Sequence, residues 1–317
     1  MKFSVIIPTC GRSAQLDRLL ECLCLNEYQD AAEIIIVNNS TQDQQPQALL
    51  KKFQKKHCQL KLITESSSGA SFARNAGARA AKYHHLIFLD DDVIIQPHFL
   101  TAYAKAWQKF PAAKIIGGKV VAKKEKGYLN TAEQRTLNGY DDWCFGKTAF
   151  ILKPGLLELG QTVTSANMSV YYQKKEHNLF DEHLGRAFLP QIQLGSEDYE
   201  LCCRTILTKQ AVYYTDDSRL EVINVVSEER FSPEYLTARY WSHGVELATI
   251  QQLLNRKFPE AKLGKFNFWL LCMSVHIRLN PTALWRTVRR FLGIKRELVR
   301  LSNYIFTQPI LDVRLRK

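Results

Sequence analysis

A chain of 317 residues, 46% of them hydrophobic and with only 15 Gly and 10 Pro, can bury a large core, which excludes a disordered, collagen-like or low-complexity protein. Its formal net charge of +12 is unevenly placed: from Arg256 onward 14 Lys/Arg face 3 Asp/Glu, while residues 1–255 hold 29 against 28. A basic tail on a nearly neutral body argues against a chain coated in nucleic acid and for an anionic surface met by the tail alone.

The N-terminus, "MKFSVIIPTC", enters a strand-like run directly, without the long apolar core of a signal peptide. "FSVIIP" and "EIIIVN" are short, β-branched apolar runs, the pattern of strands buried on both faces of a parallel sheet. Between them Leu16, Leu19, Leu20 and Leu23 recur at helical spacing and predict a helix with one buried face. "QLKLIT" reads as a strand, "SFARNAGARAAK" as an alanine-rich helix and "HLIFLD" as a further strand. This alternation predicts a mostly parallel α/β sheet with right-handed crossovers. In such sheets ligands bind beyond the carboxyl ends of the strands, where "PTCGR", "NNSTQD", "SSSGASFARN" and "DDD" fall.

After "KIIGGKVV" the pattern loosens, and residues 122–162 read as loop-rich. There "GYDDWCFG" can stack a sugar on Tyr140 or Trp143 and bind its hydroxyls with Asp141 or Asp142, or it can be a packed loop. "SEDYELCCRTIL" restarts a helix with Ser196 as N-cap. "AVYY" and "LEVINVV" read as strands, and from Pro233 only helices follow, over 233–256, 266–279 and 282–306. Eight cysteines without C-x-x-C or zinc spacing read as reduced cytosolic thiols. The lysine runs at 51–56 and 123–126 read as solvated surface, and His84-His85 lacks partner ligands in register.

Two acidic features carry chemistry. Asp90, Asp91 and Asp92 repel one another at a strand end, and a cation relieves that repulsion. Mg2+ takes one or two protein carboxylates and completes its shell with water and phosphate oxygens, and Mn2+ accepts similar hard ligands. A D-x-D at a strand terminus therefore suits a metal-diphosphate. Glu197 and Asp198 fall in the first turn of a helix, where the dipole favours negative charge whether or not they react.

In order, "SVIIPTCGR", "IIIVNNSTQD", "GASFARNAGARAA", "FLDDDV", "SANMSV", "FDEHLG" and "SEDYELCCR" resemble glycosyltransferase family 2, over roughly residues 3 to 240. The resemblance implies a Rossmann-like GT-A fold and an inverting, nucleotide-sugar-dependent enzyme using Mn2+ or Mg2+. Its catalytic domain would cover 1–225, with the nucleotide-sugar half at about 1–120 and the acceptor half at about 121–225. A basic helical extension would follow over 226–317. By the same resemblance Pro8, Thr9, Arg12, Asn38, Arg74, Asp90 and Asp91 bind the nucleotide-sugar. Asp92 holds the metal, with Asp90 and Asn224 as further candidates, and Asp198 is the catalytic base. Glu197, Asn167 and Trp143 lie on the acceptor side. Two positions depart from the family pattern. Asn38 stands where an aspartate often accepts the uracil N3 proton, and Asn224 stands where a histidine often binds metal.

The implied reaction moves a sugar, from a UDP-sugar by expectation, to a hydroxyl of a glycan or lipid-linked acceptor in cell-surface polysaccharide or glycolipid synthesis. One rival, a nucleotidyltransferase, would need a basic, glycine-rich loop where "PTCGRSAQ" has one glycine and one arginine. The other, a non-catalytic membrane-binding module, sits poorly with an intact D-x-D and "ED" pair. In the tail, "FNFWLLCMSV" is too short for the roughly 20 apolar residues of a bilayer span. Beyond it Leu284, Trp285, Val288, Phe291 and Leu292 share one helical face, and Arg286, Arg289 and Arg290 fall largely elsewhere. After Gly293 the stripe resumes at Ile294, Leu298, Leu301 and Ile305. Such a helix either lies in an anionic membrane interface or packs on a protein surface. The expectation is a cytoplasmic enzyme held peripherally at the membrane through residues 266–317, without nucleic acid.

Overall fold

The computed structural model describes residues 1–11, 13–27, 31–40, 45–53, 59–125, 145–146, 148, 153–174, 176, 178–185 and 195–261. The chain divides into two compact units, Met1–Arg239 and Tyr240–Lys317. The first opens as β1 (Phe3–Thr9), α1 (Ser13–Cys24), β2 (Ala32–Asn38), α2 (Gln45–Phe53), β3 (Gln59–Thr64), α3 (Ala70–Ala80) and β4 (His85–Leu89). It continues through β5 (Val93–Ile94), α4 (Phe99–Lys109), β6 (Ala113–Gly117), β7 (Val120–Lys124), β8 (Gly155–Leu156) and β9 (Asn167–Tyr171). Then come α5 (Glu197–Leu207), β10 (Ala211–Tyr214) and β11 (Val222–Val226), after which α6 (Pro233–Lys257) follows. The expected helices over 266–279 and 282–306 lie outside the described residues.

An eight-stranded sheet has the order β3-β2-β1-β4-β9-β6-β10-β8. β1 is parallel to β2 and β4, β2 to β3, and β6 to β10. β9 runs antiparallel to both β4 and β6. The expected mostly parallel sheet is therefore present with two reversals, β9 at its centre, in the segment "SANMSV", and β8 at the edge beside β10. A second sheet, β5-β11-β7, begins one residue after the aspartate triplet.

Side-chain alternation along the strands sorts residues into two cores. Val5, Ile7, Ile34 and Ile36 join Leu16, Leu19, Leu20 and Leu23 of α1 and Phe99 and Tyr103 of α4. Ile6, Ile35 and Val37 turn the other way, toward Ala73 and Ala78 of α3 and Leu201 and Cys202 of α5. Both faces of β1 and β2 are covered, which is why these runs are apolar throughout. Each fully buried leucine of α1 contributes about 1.5–3 kcal/mol. β3 is the sheet edge, and Gln59, Lys61 and Thr64 are exposed there.

Two expectations are corrected. Cys24 is disulfide-bonded, so the thiols are not uniformly reduced. The other described cysteines, Cys10, Cys22, Cys202 and Cys203, are free. Ser196 precedes α5 as expected, but with φ 61° and no side-chain hydrogen bond to the helix. Among the described residues no helix is long and apolar enough to cross a membrane.

The packing of α3 sets the position of everything it carries. At Gly77 an added Cβ would stand 2.4 Å from Ile6 Cγ2 and 3.2 Å from Val37 Cγ2, so the helix lies as close to the sheet as a glycine allows. Gly77→Ala should lower unfolding stability by about 1–3 kcal/mol, the usual cost of overpacking, as measured by the urea midpoint at an unchanged m-value.

Candidate active site

The carboxyl ends of β1, β2, β3 and β4 open at one edge of the sheet, and the site is assembled there. Asn39, just past β2, ties the loop that leads into α3. Its Nδ2 donates to Glu65 O and Ser67 O at 2.9 and 2.8 Å, and its Oδ1 accepts from Gly69 N at 2.8 Å. One turn into α3, Arg74 projects between two acidic elements. Nη2 donates to Asp90 Oδ1 at 2.7 Å and Nη1 to Glu197 Oε1 at 2.5 Å, while the guanidinium faces the Phe180 ring at 5.6 Å. Arg74 is only 4% exposed. Burial works against its charge, but Asp90 and Glu197 outweigh it, so the proton is held more tightly than usual. Nε, also buried, has no hydrogen-bond partner.

Glu197 and Asp198 open α5 but face different partners. Both Asp198 oxygens accept backbone N–H groups: Oδ1 from Tyr199 at 2.8 Å and Oδ2 from Ser165, just before β9, at 3.1 Å. Burial, and then the charge of Glu197, push its carboxyl up to about 7, against the pull of the Ser165 N–H and Arg74. Further along α5, buried Glu200 receives Arg204 Nε at 2.9 Å, and Arg204 Nη2 donates to Leu179 O at 2.7 Å. Asn75 of α3 exchanges two hydrogen bonds with the Phe180 backbone. Gly185, at φ +110°, comes so close to α3 that a Cβ there would lie 3.1 Å from Ser71 N. "FDEHLG" is thereby strapped to α3, and Leu179 just before it to α5.

The three aspartates have three environments. Asp90, with its side chain 34% exposed, is the most open and faces Arg74. Asp91 is buried and accepts from Thr9 Oγ1 at 2.7 Å, which joins the end of β1 to the turn after β4. Asp92 is buried, its backbone oxygen accepts from Val225 N at 3.1 Å, and Arg230 Nη2 stands 3.9 Å from its Oδ2. Asn224 pairs with Val93, the residue after Asp92. Its Nδ2 donates to Phe145 O at 2.6 Å, and its buried Oδ1 has no partner. An orphaned amide oxygen and a carboxylate are both hard oxygen donors, the chemistry that a divalent cation takes. Among the described residues no group of three His, Cys, Asp or Glu forms a closed cation site. Phosphate and water would have to complete the shell.

The remaining expected residues divide. Pro8 and Thr9 end β1, and Asn38 ends β2, buried, with its Oδ1 accepting from Ser40 N at 3.0 Å. Arg12 and Trp143 lie outside the described residues. Asn167, expected on the acceptor side, is corrected. It is fully buried, donates to Lys119 O and Leu220 O at 3.1 and 2.6 Å and accepts from Tyr103 Oη at 2.8 Å. Every polar atom of its side chain is used in joining β9 to its neighbours. Sequence reasoning missed Asn39 and Arg230; the Asn-Asn doublet at a strand end was the available signal for the first, and none marked the second.

Arg74 neutralises two carboxylates, one of them almost wholly buried, so its removal should be expensive. Arg74→Gln should cost about 3–5 kcal/mol of stability, the range for breaking a buried ion pair, and the loss should shrink at acid pH as the abandoned carboxylates protonate. Guanidinium chloride unfolding at pH 8 and pH 4 reads both effects.

Comparison with known proteins places this geometry. Residues 4–178, more than half of the chain, match the model of glycosyl transferase family 2. Chondroitin synthase of Escherichia coli is 26% identical over 137 residues, 42% of this chain and 20% of that protein. Poly(ribitol-phosphate) beta-N-acetylglucosaminyltransferase TarS of Staphylococcus aureus is 28% identical over 101 residues, 32% of this chain and 18% of that protein. The chain thus matches about a fifth of the length of these relatives. In fold, it superposes on S. aureus TarS 1-349 in complex with UDP-GlcNAc with a TM-score of 0.53 at 17% identity, covering 88% of this chain and 78% of that one. The same protein in complex with UDP gives 0.52 at 20% identity, covering 82% and 72%. The family match and the superposition agree: this chain has the GT-A fold and belongs to glycosyl transferase family 2.

Proposed function

We propose that this chain is an inverting glycosyltransferase that moves a sugar from a UDP-sugar to a hydroxyl of a glycan or lipid-linked acceptor. The observation that carries the reading is the Arg74 bridge, which ties the first aspartate of the D-x-D turn to the helix that presents Asp198. A donor-binding carboxylate and a proton acceptor are held in one rigid unit, as in-line displacement requires.

Asp198 takes the proton of the attacking hydroxyl. Its two backbone hydrogen bonds fix its orientation, and a pKa raised to about 7 matches its basicity to neutral pH. Glu197, bound to Arg74, stays in place as a positioning group. At the donor end, Pro8, Thr9 and Asn38 border the base and Asp90 reaches toward the ribose. Asp92 and Asn224 would hold Mn2+ or Mg2+, which when bound stabilises negative charge on the departing diphosphate. UDP as the nucleotide is supported by the complexes of S. aureus TarS with UDP and UDP-GlcNAc. A polymeric acceptor is supported by the names of the two relatives, a chondroitin synthase and a poly(ribitol-phosphate) transferase. The basic tail from residue 266 would hold the enzyme at the cytoplasmic face of an anionic membrane.

Asp198→Asn should lower transfer roughly 10²–10⁴-fold and leave UDP affinity by calorimetry unchanged. The base works only when ionised, so in the parent protein kcat should fall as pH drops below about 7. A limb near pH 4, or a product of retained anomeric configuration by NMR, contradicts the assignment. For the tail, the full chain should co-sediment with phosphatidylserine-containing vesicles at low salt and be released at high salt, because each basic residue near such a surface contributes about 1 kcal/mol that salt screens. Binding that is indifferent to salt would remove the electrostatic basis of the membrane reading.

A further inference from the structure

Arg230 stands on the short turn Glu228–Phe231 that follows β11. Its side chain is 15% exposed, and among the described residues its nearest acidic neighbour is Asp92 Oδ2 at 3.9 Å, beyond hydrogen-bonding distance. Among the described residues no acceptor receives a hydrogen bond from this guanidinium, although it carries five N–H donors. A guanidinium beyond hydrogen-bonding distance of its acidic neighbour keeps N–H donors that an entering anion can engage.

The turn is firmly seated. Phe231 stacks on Phe145 with ring centroids 4.9 Å apart and 27° between planes. Lys124 Nζ lies 5.8 Å over the Phe231 ring and 3.3 Å from Glu228 Oε1. Arg230 N donates to Ser227 O at 3.1 Å. Beneath the turn, Val225 N donates to Asp92 O at 3.1 Å, so Arg230 and the D-x-D aspartate are carried by the same three-stranded sheet. The backbone that carries Arg230 is therefore fixed by a sheet, a ring stack and a lysine, and its guanidinium stands 3.9 Å from Asp92 Oδ2.

We propose that Arg230 is the diphosphate-binding residue of this chain: its guanidinium grips non-bridging phosphate oxygens of the nucleoside diphosphate on the far side of Asp92. The inference rests on the nucleotide-sugar reading above and adds the group that receives the leaving charge. A guanidinium is planar, permanently charged and matched to two phosphate oxygens at once. Because this cation is part of the chain, diphosphate binding is partly independent of a divalent ion at Asp92 and Asn224.

The test is calorimetry of the full chain with UDP and with GDP, in Mn2+ and in EDTA, alongside uridine affinity from ligand-observed NMR. The parent should keep measurable UDP binding in EDTA. Arg230→Gln should weaken UDP binding in EDTA about 10–100-fold, the scale of a charge-assisted hydrogen bond, with uridine affinity and the melting temperature unchanged. Arg230→Lys should fall between the two, since it keeps the charge but not the fork. UDP affinity in EDTA equal for Arg230→Gln and the parent overturns the proposal, as does an equal loss for uridine, which marks a packing role. A parent that binds neither UDP nor GDP under any condition instead sinks the nucleotide-sugar reading, and Arg230 with it.

Discussion

One guanidinium holds the site together. Arg74 reaches from the middle of the sheet's second face to Asp90 after β4 and to Glu197 at the head of α5, two elements more than a hundred residues apart in sequence. A buried cation between two carboxylates leaves little freedom to any of the three, because a shift of one strands a charge away from water. α3 must therefore lie at one height on the sheet. Gly77 and the Asn39-tied loop fix that height from either end of the helix.

That constraint also explains how neighbouring acids come to do different work. Glu197 and Asp198 are adjacent in sequence, yet only Glu197 reaches the guanidinium; Asp198 turns to the Ser165 and Tyr199 N–H groups. Burial first, and then the charge of Glu197 beside it, makes Asp198 hold its proton more tightly than usual, against the pull of Arg74. The aspartate triplet divides labour in the same way. Asp91 is spent on Thr9, and Asp90 and Asp92 are left to face Arg74 and Arg230.

Local physics made much of this legible in the sequence. The buried parallel strands announce themselves as β-branched runs, and α1 as leucines at helical spacing, because a two-sided sheet and a one-sided helix leave no other pattern. The Asp triplet and the Glu197-Asp198 pair were visible as charge at element ends. What was not legible depends on long-range placement. Asn167 reads by resemblance as an acceptor-side group, until β9 is seen between β4 and β6 with every Asn167 side-chain polar atom used. Ser196 satisfies the composition rule for a cap and not its geometry. Arg230 has no local signature, since its meaning comes only from β11 lying beside β5.

The reversal of β9 has a consequence for how such a chain can change. β1 to β4, β6 and β10 all point the same way, so each delivers its following loop to the reactive edge. β9 alone in the centre delivers its preceding loop, and this is how Ser165 N–H arrives at Asp198. The stretch upstream of β9 can therefore lengthen, shorten or be exchanged while its last residues remain clamped by the strand that follows. The candidate site can thus vary from one side only, with the anchor of Asp198 kept as the fixed margin.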